Sequence, residues 1–547
     1  MLDSVDFAHV EASGDKTIQD YEMRGDGRVG VFLTESGDDR LWVRRVLLGF
    51  LVCSVTLLAL GCSGSEPAQE EGAEAPTEQP NIIFVLTDDL DYASAQQLPN
   101  LRSLLIDQGT SFENAFVSHP VCCPSRSTIL TGLYDHNHDV RSNNPPDGGF
   151  QKFVSEGHEE NTIAVNLQEG GYQTAFFGKY LNGYPAGDPT HVPPGWDEWY
   201  GKEEGQKLYD YDINENGEVV SYGNGTEDFY TDVLSGQATG FVRRAAPEER
   251  PFFMYVAPTA PHGPATPAER HEGAFADEED HRPPSFNEED VSDKPSWIRN
   301  SDSLSAGEVS GIEDYYRQRL ESTLAVDEMV ASLVEELEAA GELDNTFIFF
   351  TSDNGFEQGE HRVKTGKNRP YEESARVPLL VRGPGVPSGS EVENLAINTD
   401  FAPTFAALAG TEFPADGRSL LPLLRDEDPS WRSAVLLERL PADESGGEGS
   451  GKAKGKGKAK DKAKAKGKAK GKAGPGGSPF EAVRTATHKY VEYDNGEKEL
   501  YDLEVDPYEL ENIYENADPS LIEDLEAGLD ALRTCSDAGC REAEDAA

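Results

Sequence analysis

Basic residues are scarce in this 547-residue chain: 48 lysines and arginines stand against 101 aspartates and glutamates, a formal net charge of −53. Binding nucleic acid at large requires basic surface against phosphate, so the deficit argues against that class of partner. The acid excess reads as a solvated shell that favours solubility. A polyanionic ligand would need a locally basic pocket to overcome the global field. Cysteine is also sparse, six in all, and no zinc-type Cys/His cluster appears. The apolar run Val46 to Leu60 is too short for a comfortable membrane span of roughly twenty residues.

What that run has is the setting of an export signal. Arg44-Arg45 precede it, and Ala59-Leu60-Gly61-Cys62 then Ser63-Gly64-Ser65 follow. A basic flank, a short apolar core and small residues at a processing point read as a secretory signal. Gly61-Cys62 resembles a bacterial lipoprotein cleavage box, with Ala59 where leucine is usual. The expectation is an exported chain lipidated on Cys62, periplasmic or at the cell surface, and otherwise secreted. The membrane would be met only through that anchor. Residues 1–40 read as a disordered extension or a mis-assigned start, 41–62 as the signal, and 63–79, rich in Glu, Ala and Pro, as a disordered linker.

The rest is organised around Cys122-Cys123-Pro124-Ser125-Arg126, running on to Leu130-Thr131-Gly132. Pro124 fits the first helical position. Cys122 then lies just before the first turn, where free N–H groups and the helix dipole favour negative charge, and Gly132 can end the helix. A buried cysteine pair at a helix start is the plain alternative. Against it, chance would place Cys-x-Pro-Ser-Arg in a chain this long on the order of once per thousand sequences.

Apolar runs suited to buried parallel strands surround this motif in sequence. Asn81 to Leu86 leads to Thr87-Asp88-Asp89, and Thr346 to Thr351 leads to Ser352-Asp353-Asn354. Sites form beyond the carboxyl ends of strands in open α/β sheets. Two such ends carrying carboxylate and amide oxygens suit a hard divalent cation. Tyr172 to Phe177 reads as a strand opening into Gly178-Lys179-Tyr180-Leu181-Asn182, and Lys179 could meet an anion as a point charge. Pro251 to Ala257 is another, opening into a proline-rich loop with His262. Asn161–Gln168, Asp228–Arg243, Glu313–Ala340 and Asn398–Leu408 read as helices, and Tyr209–Tyr222 as a hairpin. His271 to Asn300 reads as a long acidic loop.

Together these residues resemble the sulfatase family, whose members carry Cys-x-Pro-Ser-Arg followed by Leu-Thr-Gly at this offset. The resemblance spans roughly Pro80 to Arg533, outside a lysine-rich tract. Gly-Lys-Tyr-Leu-Asn, Pro194-Gly195-Trp196, Ser285-Phe286-Asn287 and Asp293-Lys294-Pro295 are similar to the N-acetylglucosamine-6-sulfatase and heparan 6-O-endosulfatase branch. Leu181 stands where many sulfatases have histidine, so that contact is not carried over. Some relatives have a histidine where Glu357 stands.

The resemblance implies an alkaline-phosphatase-like α/β sandwich, with a large, mostly parallel sheet flanked by helices and a smaller C-terminal sheet-and-helix part. It implies a sulfuric ester hydrolase in which Cys122 is oxidised to formylglycine by a formylglycine-generating enzyme, its hydrate being the nucleophile. Asp88, Asp89, Asp353 and Asn354 would hold Ca²⁺, which also contacts residue 122. Arg126 would stabilise the hydrate, Lys179 and Lys367 would bind sulfate, and His262 or a lysine would help the leaving group. Asn182 and His361 are further pocket candidates. The substrate expected is a sulfated carbohydrate of glucosamine 6-O-sulfate type. A phosphonate or phosphate ester hydrolase of the same superfamily, and a catalytically dead lipid-anchored glycan-binding protein, are the alternatives.

The expected catalytic domain covers 80–430, and a C-terminal subdomain covers 431–540 with a disordered lysine-rich insert at about 444–478. Arg484 to Tyr493 reads as one strand, Glu499 to Leu503 as another, and Pro519 to Arg533 as a helix. Cys535 and Cys540 could close a small loop in an exported protein.

Overall fold

The computed structural model describes residues 21–23, 29–31, 79–203, 205–278, 281–427, 429–442 and 477–547. Cys62, the apolar run before it and nearly all of the lysine-rich tract lie outside the described residues. The chain divides into two units, Met1–Ala73 and Glu74–Ala547. In the first, Tyr21–Met23 pairs antiparallel with Val29–Val31. All other elements belong to the second. Among the described residues no helix is long and apolar enough to cross a membrane.

Four apolar runs form the parallel middle of a ten-stranded sheet: β1 (Asn81–Thr87), β2 (Gln173–Gly178), β3 (Phe252–Ala257) and β4 (Thr346–Ser352). Their spatial order is β4-β1-β3-β2. Such strands are near-continuously hydrophobic because helices cover both faces. Along β1, Ile82, Phe84 and Leu86 enter one core and Ile83 and Val85 the other. Beyond β2, Glu198–Lys202 adds in parallel, followed by the hairpin Tyr211–Glu215 and Glu218–Tyr222. Beyond β4, β5 (Leu379–Arg382) runs antiparallel, then Thr110–Phe112 and Ser390–Val392 complete the sheet.

One face is covered by α1 (Cys122–Thr131), Ile163–Glu169 and Phe401–Ala409, the other by α2 (Tyr230–Ala245) and α3 (Ala306–Ala340). Helix α3 is 35 residues long and starts seven residues before the expected Glu313. A capping box sets that start: Ser305 N–H donates to Glu308 Oε2 at 2.8 Å, and the Ser305 hydroxyl accepts from Glu308 N–H. The hydrophobic period of the first turns is weak, so periodicity alone missed them.

The C-terminal sheet is antiparallel: Ala434–Arg439, Phe480–Thr485, His488–Tyr493 and Lys498–Asp502. Pro519–Leu532 and Ala538–Ala546 pack on it. The single strand expected from Arg484 to Tyr493 is instead the junction of two. Thr485 Oγ1 accepts from the N–H groups of Thr487 and His488, at 3.3 and 2.9 Å, and turns the chain there. Cys535 and Cys540 form a disulfide, Cα–Cα 4.7 Å.

Candidate active site

Strand register builds the site. Thr87 lies opposite Ser352, so the residues that follow, Asp88-Asp89 and Asp353-Asn354, emerge side by side at one edge of the sheet. On the other flank of β1, Asp88 bridges to Pro261, which places the His262 loop alongside. Gly178, opposite Ala257, ends β2 at φ +121°. A Cβ there would lie 2.1 Å from the Ala257 carbonyl oxygen, so only glycine lets the chain turn Lys179 into the same edge.

Helix α1 supplies the remaining part. It begins at Cys122, with Val121 as N-cap, so Pro124 is the third helical residue rather than the first. Any of these early positions leaves an N–H without an intrahelical acceptor, so proline is tolerated equally well there. Asn143 Oδ1 accepts the Cys123 N–H at 2.8 Å. Gly132, at φ 69°, ends the helix as expected.

These pieces converge on the Cys122 sulfur. Its thiol donates to Asp88 Oδ1 at 3.4 Å, and Lys367 Nζ lies 2.7 Å from Sγ. Lys367 also meets Asp89 Oδ1, and Asn354 Oδ1 at 3.4 Å. Lys179 Nζ donates to Asp88 Oδ2 at 2.7 Å. Asp89 N–H donates to Asp353 Oδ1 at 3.1 Å, and Asn354 Nδ2 to Asp89 Oδ1 at 2.8 Å. His262 Nε2 stands 3.8 Å from Asp89 Oδ2, and its ring is about a quarter exposed, at the mouth of the site.

Arg126 faces inward from α1. Its Nε donates to Asp353 Oδ2 at 2.7 Å and its Nη1 to the Lys179 carbonyl at 2.6 Å. It fixes both strand ends relative to the helix.

Three buried carboxylates, Asp88, Asp89 and Asp353, thus meet two buried cations, Arg126 and Lys179, and the partly buried Lys367. Burial alone would raise Asp88, but Lys179 foremost, with His262, Arg126 and Lys367, holds it well below the usual carboxylate range. Asp89 is likewise held down against burial, chiefly by Lys367. Asp353 goes the other way: burial and the charge of Asp88 push it up, despite Arg126. Asp353 is thus the one carboxylate of the three whose burial the nearby cations do not offset.

Two hard oxygen donors, Asp89 Oδ1 and Asn354 Oδ1, face the Lys367 ammonium. Asp353 and Asn354, each bonded to Asp89, add oxygens of the kind a hard divalent ion takes. Asp88, Asp89, Cys122 and His262 also group closely enough to share one ion.

The expected gain of negative charge on Cys122 is not realised. Burial first, then Asp88 and Asp353, push its thiol up to about 12, against the pull of Lys179 and Lys367. At neutral pH the sulfur is a thiol and a poor nucleophile.

Of two further pocket candidates, Asn182 lies beside the motif and His361 apart from it. The Asn182 carbonyl accepts from Phe150 N–H at 2.7 Å, and its side-chain oxygen is buried without a hydrogen-bond partner. Its main chain contacts Cys123, the neighbour of Cys122. His361 is buried, stacks on Tyr371 at 4.2 Å and faces Glu288, so no contact ties it to Cys122.

One residue was not singled out from the sequence. His119, three residues before Cys122, binds Asp135 through Nδ1 and Asn368 Oδ1 through Nε2 at 3.0 Å. It links the α1 entry to the neighbour of Lys367. Only its proximity to the motif could have drawn attention to it.

A groove of about 900 Å³ runs along α3 and Lys364-Thr365. Tyr315 lines it, and its hydroxyl lies 2.8 Å from where a Cβ on Gly263, next to His262, would stand.

The sulfatase family model matches residues 80–411. Human N-acetylglucosamine-6-sulfatase is 35% identical over 511 residues, spanning 89% of this chain and 90% of that protein. A solved structure described as a complex with its substrate D-glucosamine-2-N,6-O-disulfate superposes with a TM-score of 0.67 at 26% identity. It covers 85% of this chain and 99% of that one. The phosphonate monoester hydrolase of Agrobacterium radiobacter, at 22% identity and a TM-score of 0.59 over 83% of this chain and 96% of that one, shares the architecture.

Proposed function

The chain belongs to the sulfatase family, in its N-acetylglucosamine-6-sulfatase branch, and is a sulfuric ester hydrolase; on that premise we propose that it releases sulfate from 6-O-sulfated sugars of the glucosamine type. The observation that carries this reading is the convergence of Cys122 Sγ with Asp88 and Lys367 at the carboxyl ends of β1 and β4, beside Lys179. Hydrolysis breaks the S–O bond to the sugar. The site must present a nucleophile to sulfur, screen the sulfate charge and return a proton to the leaving oxygen.

A thiol held neutral is unsuited to the first task, which favours modification of Cys122. Oxidised to formylglycine by a formylglycine-generating enzyme, the residue supplies a hydrate oxygen as nucleophile. Asp88, Asp89, Asp353 and Asn354 would hold a Ca²⁺-type ion, which would supply positive charge against sulfate and residue 122. Without that ion, the charges of Asp88, Asp89 and Asp353 cancel those of Arg126, Lys179 and Lys367 and leave little net attraction for an anion.

Lys179 and Lys367 present ammonium groups to sulfate oxygens. Arg126 holds the strand ends at fixed spacing through Asp353 and the Lys179 carbonyl, and so keeps the charged groups pre-organised. His262, at the mouth, is placed to return the proton to the sugar oxygen. A primary 6-O-sulfate extends from its ring, so it reaches a recessed residue 122 while the sugar rests in the groove beside Tyr315.

The reading extends to location: a signal at 41–62 with lipidation on Cys62 agrees with a disulfide near the C-terminus, a bond favoured in oxidising compartments. The test of substrate compares catalytic efficiency on glucosamine-6-sulfate, sulfated oligosaccharides and an aryl sulfate. A clear preference for the aryl ester, with no sulfate released from any sugar, rejects the substrate assignment and leaves the family intact.

A further inference from the structure

A second group of ligand-type side chains lies apart from Cys122, where the loop after β4 meets the C-terminal sheet. A ring nitrogen of His361 and one carboxylate oxygen each from Glu373 and Glu509 lie within 4.8 Å of one another. The three come from separate segments: the loop after β4, the short helix Glu372–Ala375, and the stretch following Lys498–Asp502.

Their remaining atoms are already held. His361, 1% exposed, turns Nδ1 to Glu288 Oε2 at 2.8 Å, while its Nε2 is buried with no hydrogen-bond partner. Glu373 accepts from Ser285 Oγ at 3.1 Å through Oε1, and its Oε2 is buried and unpartnered. Glu509, also 1% exposed, accepts the Glu372 N–H at 2.8 Å through Oε2. Lys489 meets its other oxygen but is shared with Glu372, at 3.2 Å, so it neutralises Glu509 only in part.

A buried imidazole nitrogen and a buried carboxylate oxygen, both without partners and facing one another's cluster, cost desolvation energy that apolar packing would not retain. Glu288 takes up Nδ1, as the outer carboxylate of a metal-bound histidine does, and the second ring nitrogen has no other hydrogen-bond partner. The backbone is also committed to this placement. His361 and Arg362 sit at φ 48° and 63°, a left-handed pair that the surrounding contacts must stabilise. A cleft of about 160 Å³, lined by Glu373 together with His281, Glu360, Glu372 and Tyr508, provides a way in.

We propose that His361, Glu373 and Glu509 bind a divalent transition-metal ion of the zinc type, in a centre separate from the Asp88 cluster. One imidazole with two carboxylates suits Zn²⁺, whereas the oxygen-rich set at Asp88 suits Ca²⁺. The ion ties the loop after β4 to the C-terminal sheet, so its role is structural. The proposal does not rest on the ester chemistry above.

The experiment uses the untagged full chain, stripped with chelator, saturated with Ca²⁺ and then titrated with Zn²⁺. Elemental analysis and calorimetry give the stoichiometry, and melting temperature gives the coupling to the fold. The wild type is expected to bind one further equivalent of Zn²⁺ and to melt higher with it. Co²⁺ in its place should give ligand-field absorption bands. Glu373→Gln and His361→Gln lose the zinc equivalent and the bands while keeping Ca²⁺. Asp353→Asn keeps the zinc equivalent while losing Ca²⁺, which separates this proposal from the reading of the first site. A wild-type chain that takes up no Zn²⁺ after Ca²⁺ overturns the proposal, whatever the variants do. So does a Glu373→Gln chain that binds Zn²⁺ as the wild type does.

Discussion

Arg432→Met tests how the C-terminal part is locked beneath the active-site helix. Arg432 is buried and holds Asp400 with a two-pronged contact, Nη1–Oδ2 2.8 Å and Nη2–Oδ1 2.6 Å. Its Nε stands 3.1 Å from Glu544 Oε2 in the last helix. Glu544 in turn accepts from Tyr134 Oη at 2.7 Å, two residues beyond the Gly132 that ends α1. Removing one partner of a buried pair costs about 3–5 kcal/mol, because the other charge is left uncompensated.

The structure places this case near the lower bound. Asp400 keeps the N–H groups of Ile397 and Arg418, both at 2.9 Å, and Glu544 keeps Arg418 at 3.2 Å. We therefore expect a loss of about 3 kcal/mol at about pH 8. Burial already pushes Glu544 up, against the pull of Arg432 and with the help of Asp400. Without the guanidinium it rises further. A carboxyl raised in the fold keeps a proton that the unfolded chain, with a value of about 4.3, has released. Stability therefore falls as pH climbs from there through the raised folded value, and the penalty of Arg432→Met shrinks on acidification toward about pH 5.

Glu544→Gln should destabilise the wild type, which keeps Arg432, yet be neutral or stabilising in the Arg432→Met background. Urea unfolding followed by tryptophan fluorescence across this pH window measures all four proteins. The reasoning is refuted if Glu544→Gln costs as much in both backgrounds, or if the Arg432→Met penalty grows on acidification.

Cys122→Ala should abolish sulfate release while leaving the melting transition near that of the wild type, and the mass of the peptide carrying residue 122 should reveal formylglycine in active preparations. Lys367→Gln should lower catalytic efficiency by about 10²–10³, the usual loss for one charge-stabilising donor, as read by steady-state kinetics. Chelation should remove activity, with Ca²⁺ restoring it better than Zn²⁺ in sulfate-release assays. Cys535→Ser opens a loop with a sequence separation of 5 and should cost about 2 kcal/mol in chemical unfolding under oxidising conditions.

Much of the site was legible because its chemistry sits where strands end. Asp88-Asp89, Lys179, His262 and Asp353-Asn354 each follow a continuous apolar run, and such runs are buried strands with their carboxyl ends aligned in a parallel sheet. Cys122 was marked by a dense motif, and Gly132 by its place after a helix. His361 was misplaced for the opposite reason: a histidine in a loop has no periodicity, and only the fold shows that its ring turns toward Glu288 and Tyr371.

By itself the sequence determined the four parallel strands, a helix at the motif and the oxygen donors, since these depend on local residue order and on burial of apolar side chains. Three-dimensional packing alone decided the charges. The Cys122 thiol stays protonated because burial and two carboxylates outweigh its helix position. Arg126 reaches Asp353, 227 residues away in the chain, because strand register brings β4 against β1. Glu373 and Glu509 meet His361 only where the C-terminal sheet closes on the loop after β4. Electrostatic energies depend on distance and on exclusion of water, and neither is a property of neighbours along the chain.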